Sequence, residues 1–279
     1  MAQKPRTLAR PVALPRRALA GPPLVASLSL LAALSSCTTA PVTGRKQLDL
    51  VSDSTMNQLG LTTYQQQLAA VKVDADPAHK AMVERVSKRL IDAAEKNYHP
   101  GFKWEVTTID DPKTLNAWCL PGGKIAVYSG ILPVTQDDTG LAVVLAHEIS
   151  HALAHHGAER ASRSELMQLG EAGLLAAVNA GEPQATQTAA ALIGIGSQVG
   201  VELPFSRQQE SEADHIGLVL MAKAGYDPAR AVDFWQRMIA ANQGAEPPKL
   251  LSDHPPSAER VDAIKRELPE AQANFVAAH

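Results

Sequence analysis

Leu141-Ala142-Val143-Val144-Leu145-Ala146-His147-Glu148-Ile149-Ser150-His151-Ala152-Leu153 is an apolar run interrupted by two histidines, one glutamate and one serine. Its length and its alanine and leucine content predict a helix, and the near-continuous hydrophobicity predicts that the helix is buried. Residues four apart share one helix face, so the two imidazoles meet at a single point. Imidazole and carboxylate groups inside a core are costly unless something binds them. The spacing His-Glu-x-x-His supplies the reason: His147 and His151 hold one Zn2+, and Glu148 beside the open position acts as general base.

A catalytic zinc takes three protein ligands. The extended pattern with a glycine and a third histidine fails, because positions 154 and 157 are Ala154 and Gly157. His155 and His156 follow the motif, but histidines strung along one straight helix span too many turns to reach one ion. Both read better as polar-face or supporting residues. The stronger candidates lie in Ser206-Arg207-Gln208-Gln209-Glu210-Ser211-Glu212-Ala213-Asp214-His215. Glu210 and Asp214 are four apart on one face, so one can ligate zinc while the other holds a ligand imidazole. Glu212 points roughly 200° away from that face at about 100° per residue.

Outward from these segments, helical periodicity covers residues 52–68, 77–94, 161–178, 186–201, 206–224, 228–242 and 257–268. Residues 104–109 and 124–128 are short β-type runs around Pro121-Gly122-Gly123. The chain has 279 residues, 45% of them hydrophobic and only 4% aromatic, which suits helices packed through small and aliphatic side chains. The expected fold class is α+β, mainly α, with a small β-sheet.

The first 36 residues carry Lys4, Arg6, Arg10, Arg16 and Arg17 and no acidic residue, then an apolar run over 24–34. That is the pattern of an export signal, and the run falls short of the roughly 20 residues that cross a bilayer. Arg16-Arg17 leaves twin-arginine export open beside the general route. Leu34-Ser35-Ser36-Cys37 resembles a bacterial lipobox, which implies lipidation of Cys37 and attachment to a membrane through that anchor. The expected organisation is a signal over 1–36, a lipidated cysteine and tether over 37–50, the catalytic domain over 51–270 and a tail over 271–279. Without the first 36 residues, 26 minus five basic residues face 29 acidic ones, a formal charge of −8 that argues against a nucleic-acid partner. Cys119 would then be the only cysteine besides Cys37, so no intramolecular disulfide is expected.

His-Glu-x-x-His followed by the Glu210-x-x-x-Asp214 helix, Asn116-Ala117-Trp118-Cys119-Leu120-Pro121-Gly122-Gly123 before the sheet, and His254-Pro255-Pro256 with Arg260 resemble the gluzincin family. That family includes CAAX prenyl endopeptidases, HtpX-type heat-shock proteases and the BepA and LoiP periplasmic proteases. The resemblance covers roughly residues 45–268 and is closest to compact lipoprotein members. It implies a zincin-like fold, zinc held by His147, His151 and Glu210, Glu148 as catalytic base, and Asp214 as the acid that orients the site. It also implies His254 and Arg260 near the metal, with His254 either stabilising an oxyanion or occupying the open zinc position as a latch. Residues 124–128 would be the sheet edge that pairs with an extended substrate.

The expected activity is therefore a zinc-dependent endopeptidase acting on polypeptides. By analogy it would be lipid-anchored at the periplasmic face of the outer membrane and would degrade misassembled envelope proteins. The competing reading is a zinc-stabilised, chaperone-like binding factor with latent or no proteolysis. A zinc hydrolase of peptidoglycan peptides shares the same residues and differs only in substrate.

Overall fold

A computed structural model describes residues 37–179, 206–241, 249–255 and 257–276. The expected export signal over 1–36, the helix expected over 186–201 and the end of the expected tail lie outside the described residues. The described chain begins with β1 (Cys37–Thr39) and β2 (Lys46–Leu48), followed by α1 (Asp53–Ala69) and α2 (Pro77–Tyr98). The sheet strands β3 (Glu105–Ile109), β4 (Ala117–Leu120) and β5 (Lys124–Tyr128) come next. Then follow α3 (Leu132–Thr135), α4 (Asp138–Leu153), α5 (His156–Asn179), α6 (Arg207–Lys223), α7 (Arg230–Ala241), α8 (Lys249–Asp253) and α9 (Ala258–Ala273). The architecture is the expected mainly α arrangement with small sheets.

Helix starts follow local chemistry. Asp137 caps α4 by accepting a hydrogen bond from Gly140 N at 2.8 Å, and Ser206 forms a reciprocal capping box with Gln209 at the start of α6. Asp76 caps α2 with Pro77 in its first turn. Every residue of α4 from Gly140 to Leu153 is buried, as its unbroken apolar composition requires. Leu141, Leu145 and Ile149 join Leu90 of α2, Ile125 of β5, Leu220 of α6 and Phe234 of α7 in one core. That core fixes the rotation of α4 and so the direction in which its histidines point. The last helix runs past Pro269 to Ala273, beyond the expected stop, and Ala271 there is buried in the same core.

Three expectations need correcting. Residues 124–128 are not a sheet edge: β5 is the central strand, parallel to β3 and antiparallel to β4. The sequence over 117–120 lacks strand alternation, yet the tight Pro121–Gly123 turn, with φ of 79° and 78° at its two glycines, folds it back onto β5. The edge strands are therefore β3 and β4. Residues 38–46, expected as a loose tether, form an antiparallel hairpin, because Pro41, Val42 and Gly44 make a turn closed by Ala40 N donating to Arg45 O at 2.9 Å. Glu212, expected away from the chemistry, does leave the metal-facing side of α6, but its side chain is buried among other polar groups. Among the described residues no helix is long and apolar enough to cross a membrane.

The crossing of α4 and α6 is close. A Cβ at Gly217 would sit 3.3 Å from both Ala146 C and His147 N, and backbone atoms cannot rotate aside as a side chain can. Gly217→Val is therefore expected to destabilise the chain by about 1–3 kcal/mol through overpacking. Urea denaturation checks this; an unchanged midpoint would mean that the two helices separate without cost.

Candidate metal centre

His147 and His151 project from the same face of α4 with their Nε2 atoms 3.1 Å apart. Glu210 reaches them from α6, with Oε2 3.5 Å from His147 Nε2 and Oε1 3.5 Å from His151 Nε2. His254, just after α8, completes the cluster: its Nδ1 lies 3.1 Å from His147 Nε2 and 2.9 Å from Glu210 Oε1. The four residues are buried, and one nitrogen or oxygen atom from each lies within 4.8 Å of the others. Glu148 is next to them, with Oε1 3.3 Å from His254 Nε2.

These residues fit a zinc ion. Two imidazole nitrogens and a carboxylate form a catalytic zinc donor set, and their ligand atoms converge on one buried point. Glu210 Oε2 is buried without a well-formed hydrogen bond, because Arg260 Nη1, although 2.8 Å away, approaches at an unsuitable angle. Burial alone would raise the Glu210 carboxyl, but hydrogen bonds from His147, His151 and His254 hold it far below the usual carboxylate range. Burial also pushes His151 well below the ordinary histidine value, against the pull of Glu210. That direction favours the neutral imidazole, the form that ligates a metal, whereas for His147 burial and the charge of Arg260 are outweighed by Asp214 and Glu210, which raise it. For Cys119, half-buried on β4, burial first and the charge of Glu148 second push the thiol upward. It stays protonated and is a poor metal ligand.

The second carboxylate of α6 supports rather than ligates. Asp214 Oδ1 lies 3.0 Å from His147 Nδ1, the ring atom facing away from the cluster. Arg260 of α9 holds that carboxylate through Nε to Oδ2 and through Nη2 to Oδ1 at 2.8 Å. The guanidinium carbon lies over Trp235, 3.9 Å from the ring centroid, and Trp235 packs edge-on against His147. The geometry thus separates the two acids that spacing alone left equivalent. All seven residues expected at the metal or in catalysis converge here; Cys37, which opens β1, is not among them. Sequence reasoning missed Trp235, an aromatic in an amphipathic helix with no motif to mark it.

It also underread His156. The chain leaves the helical region at His155, where φ is 54°, so α5 restarts in a new direction and returns His156 to the site. His156 Nδ1 lies 2.8 Å from His151 Nδ1. His155 faces elsewhere, 3.1 Å from Asp53. An apolar groove opens beside His151, lined by Met56, Phe102, Leu120, Pro121, Ala158 and Met167 among others.

Comparison with known proteins agrees with this geometry. Residues 77–268 match peptidase family M48. The chain is 35% identical over 243 residues to the mitochondrial metalloendopeptidase OMA1 of Schizosaccharomyces pombe, covering 83% of this chain and 66% of that protein. It is 32% identical over 241 residues to the human mitochondrial metalloendopeptidase OMA1, covering 83% of this chain and 46% of the relative. The β-barrel assembly-enhancing protease of Escherichia coli O157:H7 is 28% identical over 197 residues, 68% of this chain and 39% of its own. The chain thus spans just under two thirds of the fission-yeast relative and less than half of the human one. These findings overturn the expected address at the periplasmic face of an outer membrane, since the relatives alike over most of the chain are named as mitochondrial enzymes. A basic, acid-free leader does not by itself discriminate, because mitochondrial import sequences are also Arg-rich and poor in acids.

Arg260→Met would leave Asp214 and Glu210 without their buried cation and is expected to cost about 3–5 kcal/mol. Urea unfolding of the metal-free chain measures it. A loss below about 1 kcal/mol, the range of an exposed ion pair, would mean that water reaches these carboxylates.

Proposed function

Because this chain belongs to peptidase family M48, we propose that it is a zinc-dependent endopeptidase with one ion held by His147, His151 and Glu210. The observation that carries the reading is the buried convergence of these ligand atoms with Glu148 alongside them. A zinc ion bound there supplies a Lewis acid, which acidifies water and polarises a peptide carbonyl. Glu148 takes the proton from the attacking water and passes it to the leaving amine. Asp214, itself held by Arg260, fixes the His147 ring so that Nε2 faces the ion.

The substrate is an extended polypeptide. Strand β4 pairs with β5 on one side, and among the described residues no strand pairs with its other side. A substrate backbone added there binds through main-chain hydrogen bonds, which tolerate many side chains. The groove beside His151 takes apolar side chains. His254 acts as a latch in this arrangement: its Nδ1 lies within hydrogen-bond distance of both His147 Nε2 and Glu210 Oε1, where water and substrate must enter.

Two measurements test the reading. Glu148→Gln is expected to keep zinc while casein digestion falls by about 10²–10⁴-fold, and Glu210→Ala to lose the metal. Wild-type chain that binds zinc yet never cleaves, even as His254→Ala, would instead support the chaperone-like binding factor. His254→Ala is expected to raise the turnover of a quenched peptide severalfold. A fall would reassign the residue to oxyanion stabilisation.

A further inference from the structure

The two ligand imidazoles are held from behind in different ways. His147 leans on an acid of α6, whereas His151 leans on His156, and the support continues into the N-terminal hairpin. His156 is fully buried, and its Nε2 lies 2.9 Å from Glu212 Oε2. Arg45, on the turn between β1 and β2, donates from Nε to the same Oε2 at 2.6 Å, and Thr43 Oγ1 donates to Oε1. The remaining guanidinium nitrogens donate to both oxygens of Glu159 on α5, at 3.0 and 2.9 Å. The hairpin is further seated by Gln47 Nε2 donating to Ala154 O at 2.6 Å, in the break between α4 and α5. Glu212, buried although it faces away from the ligand cluster, would be costly there without these partners, which occupy both of its oxygens.

The direction of the hydrogen bonds follows from the acceptor at the end of the line. A carboxylate only accepts, so His156 carries its proton on Nε2 and presents a lone pair at Nδ1. Across the 2.8 Å contact His151 Nδ1 must then be the donor. A neutral His151 with its proton on Nδ1 has its lone pair on Nε2, the atom that meets His147 and Glu210. Neutral tautomers of any other combination place two protons or two lone pairs face to face somewhere along the line.

We propose that the N-terminal hairpin is a working part of the metal site, in which Arg45 is a positioning residue that acts through Glu212 and His156 to hold His151 in its ligand tautomer. This rests on the zinc-peptidase reading above. It assigns a role in the chemistry to a segment that lies outside the region matching the family, which begins at residue 77.

The test uses the full chain, with zinc affinity measured by chelator competition and kcat and KM measured on a quenched peptide. Arg45→Met, Glu212→Gln and His156→Ala are each expected to weaken zinc binding by about ten- to a hundredfold, with kcat falling more than KM rises. His156→Gln, whose amide can accept from His151 and donate to Glu212, is expected to recover most of the loss. Arg45→Met added to His156→Ala is expected to cost little more than His156→Ala alone, because groups that act in one line are not additive. Additive losses, or Arg45→Met with wild-type zinc affinity and kcat, would overturn the proposal while leaving the peptidase reading intact. Wild-type chain without zinc affinity would overturn both. If Arg45→Met does not fold, Arg45→Lys, which keeps the charge but not the fork, decides by the same comparison.

Discussion

Burying ionisable groups without water is the constraint on which the rest of this structure depends. Glu148, Glu210, Glu212, Asp214 and Glu159 are all nearly inaccessible, and so are His147, His151, His156, His254 and Arg260. Each charge taken from water costs several kcal/mol unless a partner of opposite sign or a hydrogen-bond donor replaces the solvent. The fold meets this by alternating acids and bases across the α4–α6 crossing. Arg260 bridges Glu210 and Asp214 from one end, and Arg45 bridges Glu212 and Glu159 from the other. Between the two arginines lie the imidazoles, where a bound cation would offset part of the remaining negative charge.

This arrangement explains why the small elements matter as much as the long helices. α9 contributes little more than Arg260 to the site, and the hairpin little more than Arg45 with its neighbours, yet each closes one end of a charged interior. The apolar core that surrounds them, from Leu90 to Phe234, sets the helix rotations and keeps the local dielectric low. Low dielectric strengthens every satisfied contact and penalises every unsatisfied one, so this charged interior is sensitive to single substitutions.

Legibility in the sequence followed the range of the interactions. His147, Glu148 and His151 lie within two turns of one helix, so their spacing alone determines their convergence. Glu210 and Asp214 were legible as a pair but not as separate roles, because residues four apart are equivalent until the crossing direction of α6 is known. His254 and Arg260 carry no local pattern and were reached only through family resemblance. β4 was missed because Ala117-Trp118-Cys119-Leu120 has no alternation; its pairing is imposed by the turn that follows. The hairpin was read as a tether because a proline and a glycine mark a tight turn and a loose linker alike. Glu212 was placed correctly away from the metal, but a helical wheel does not show that α5 and the hairpin cover that side.

The contacts that finish the site join parts of the chain made at very different times. His147 to His254 spans 107 positions, Arg260 to His147 spans 113, and Arg45 to Glu212 spans 167. Loops of that length close late and cannot form before their far end exists. A chain emerging from the ribosome up to the end of α5 already holds Arg45, His147, Glu148, His151 and His156, but not Glu210, Glu212, Asp214, His254 or Arg260. The nascent polypeptide thus lacks the carboxylates of α6 and the guanidinium of α9 that surround the two imidazoles in the folded chain. The buried charged cluster is therefore completed from the far end of the chain, by residues that follow α5 in the sequence.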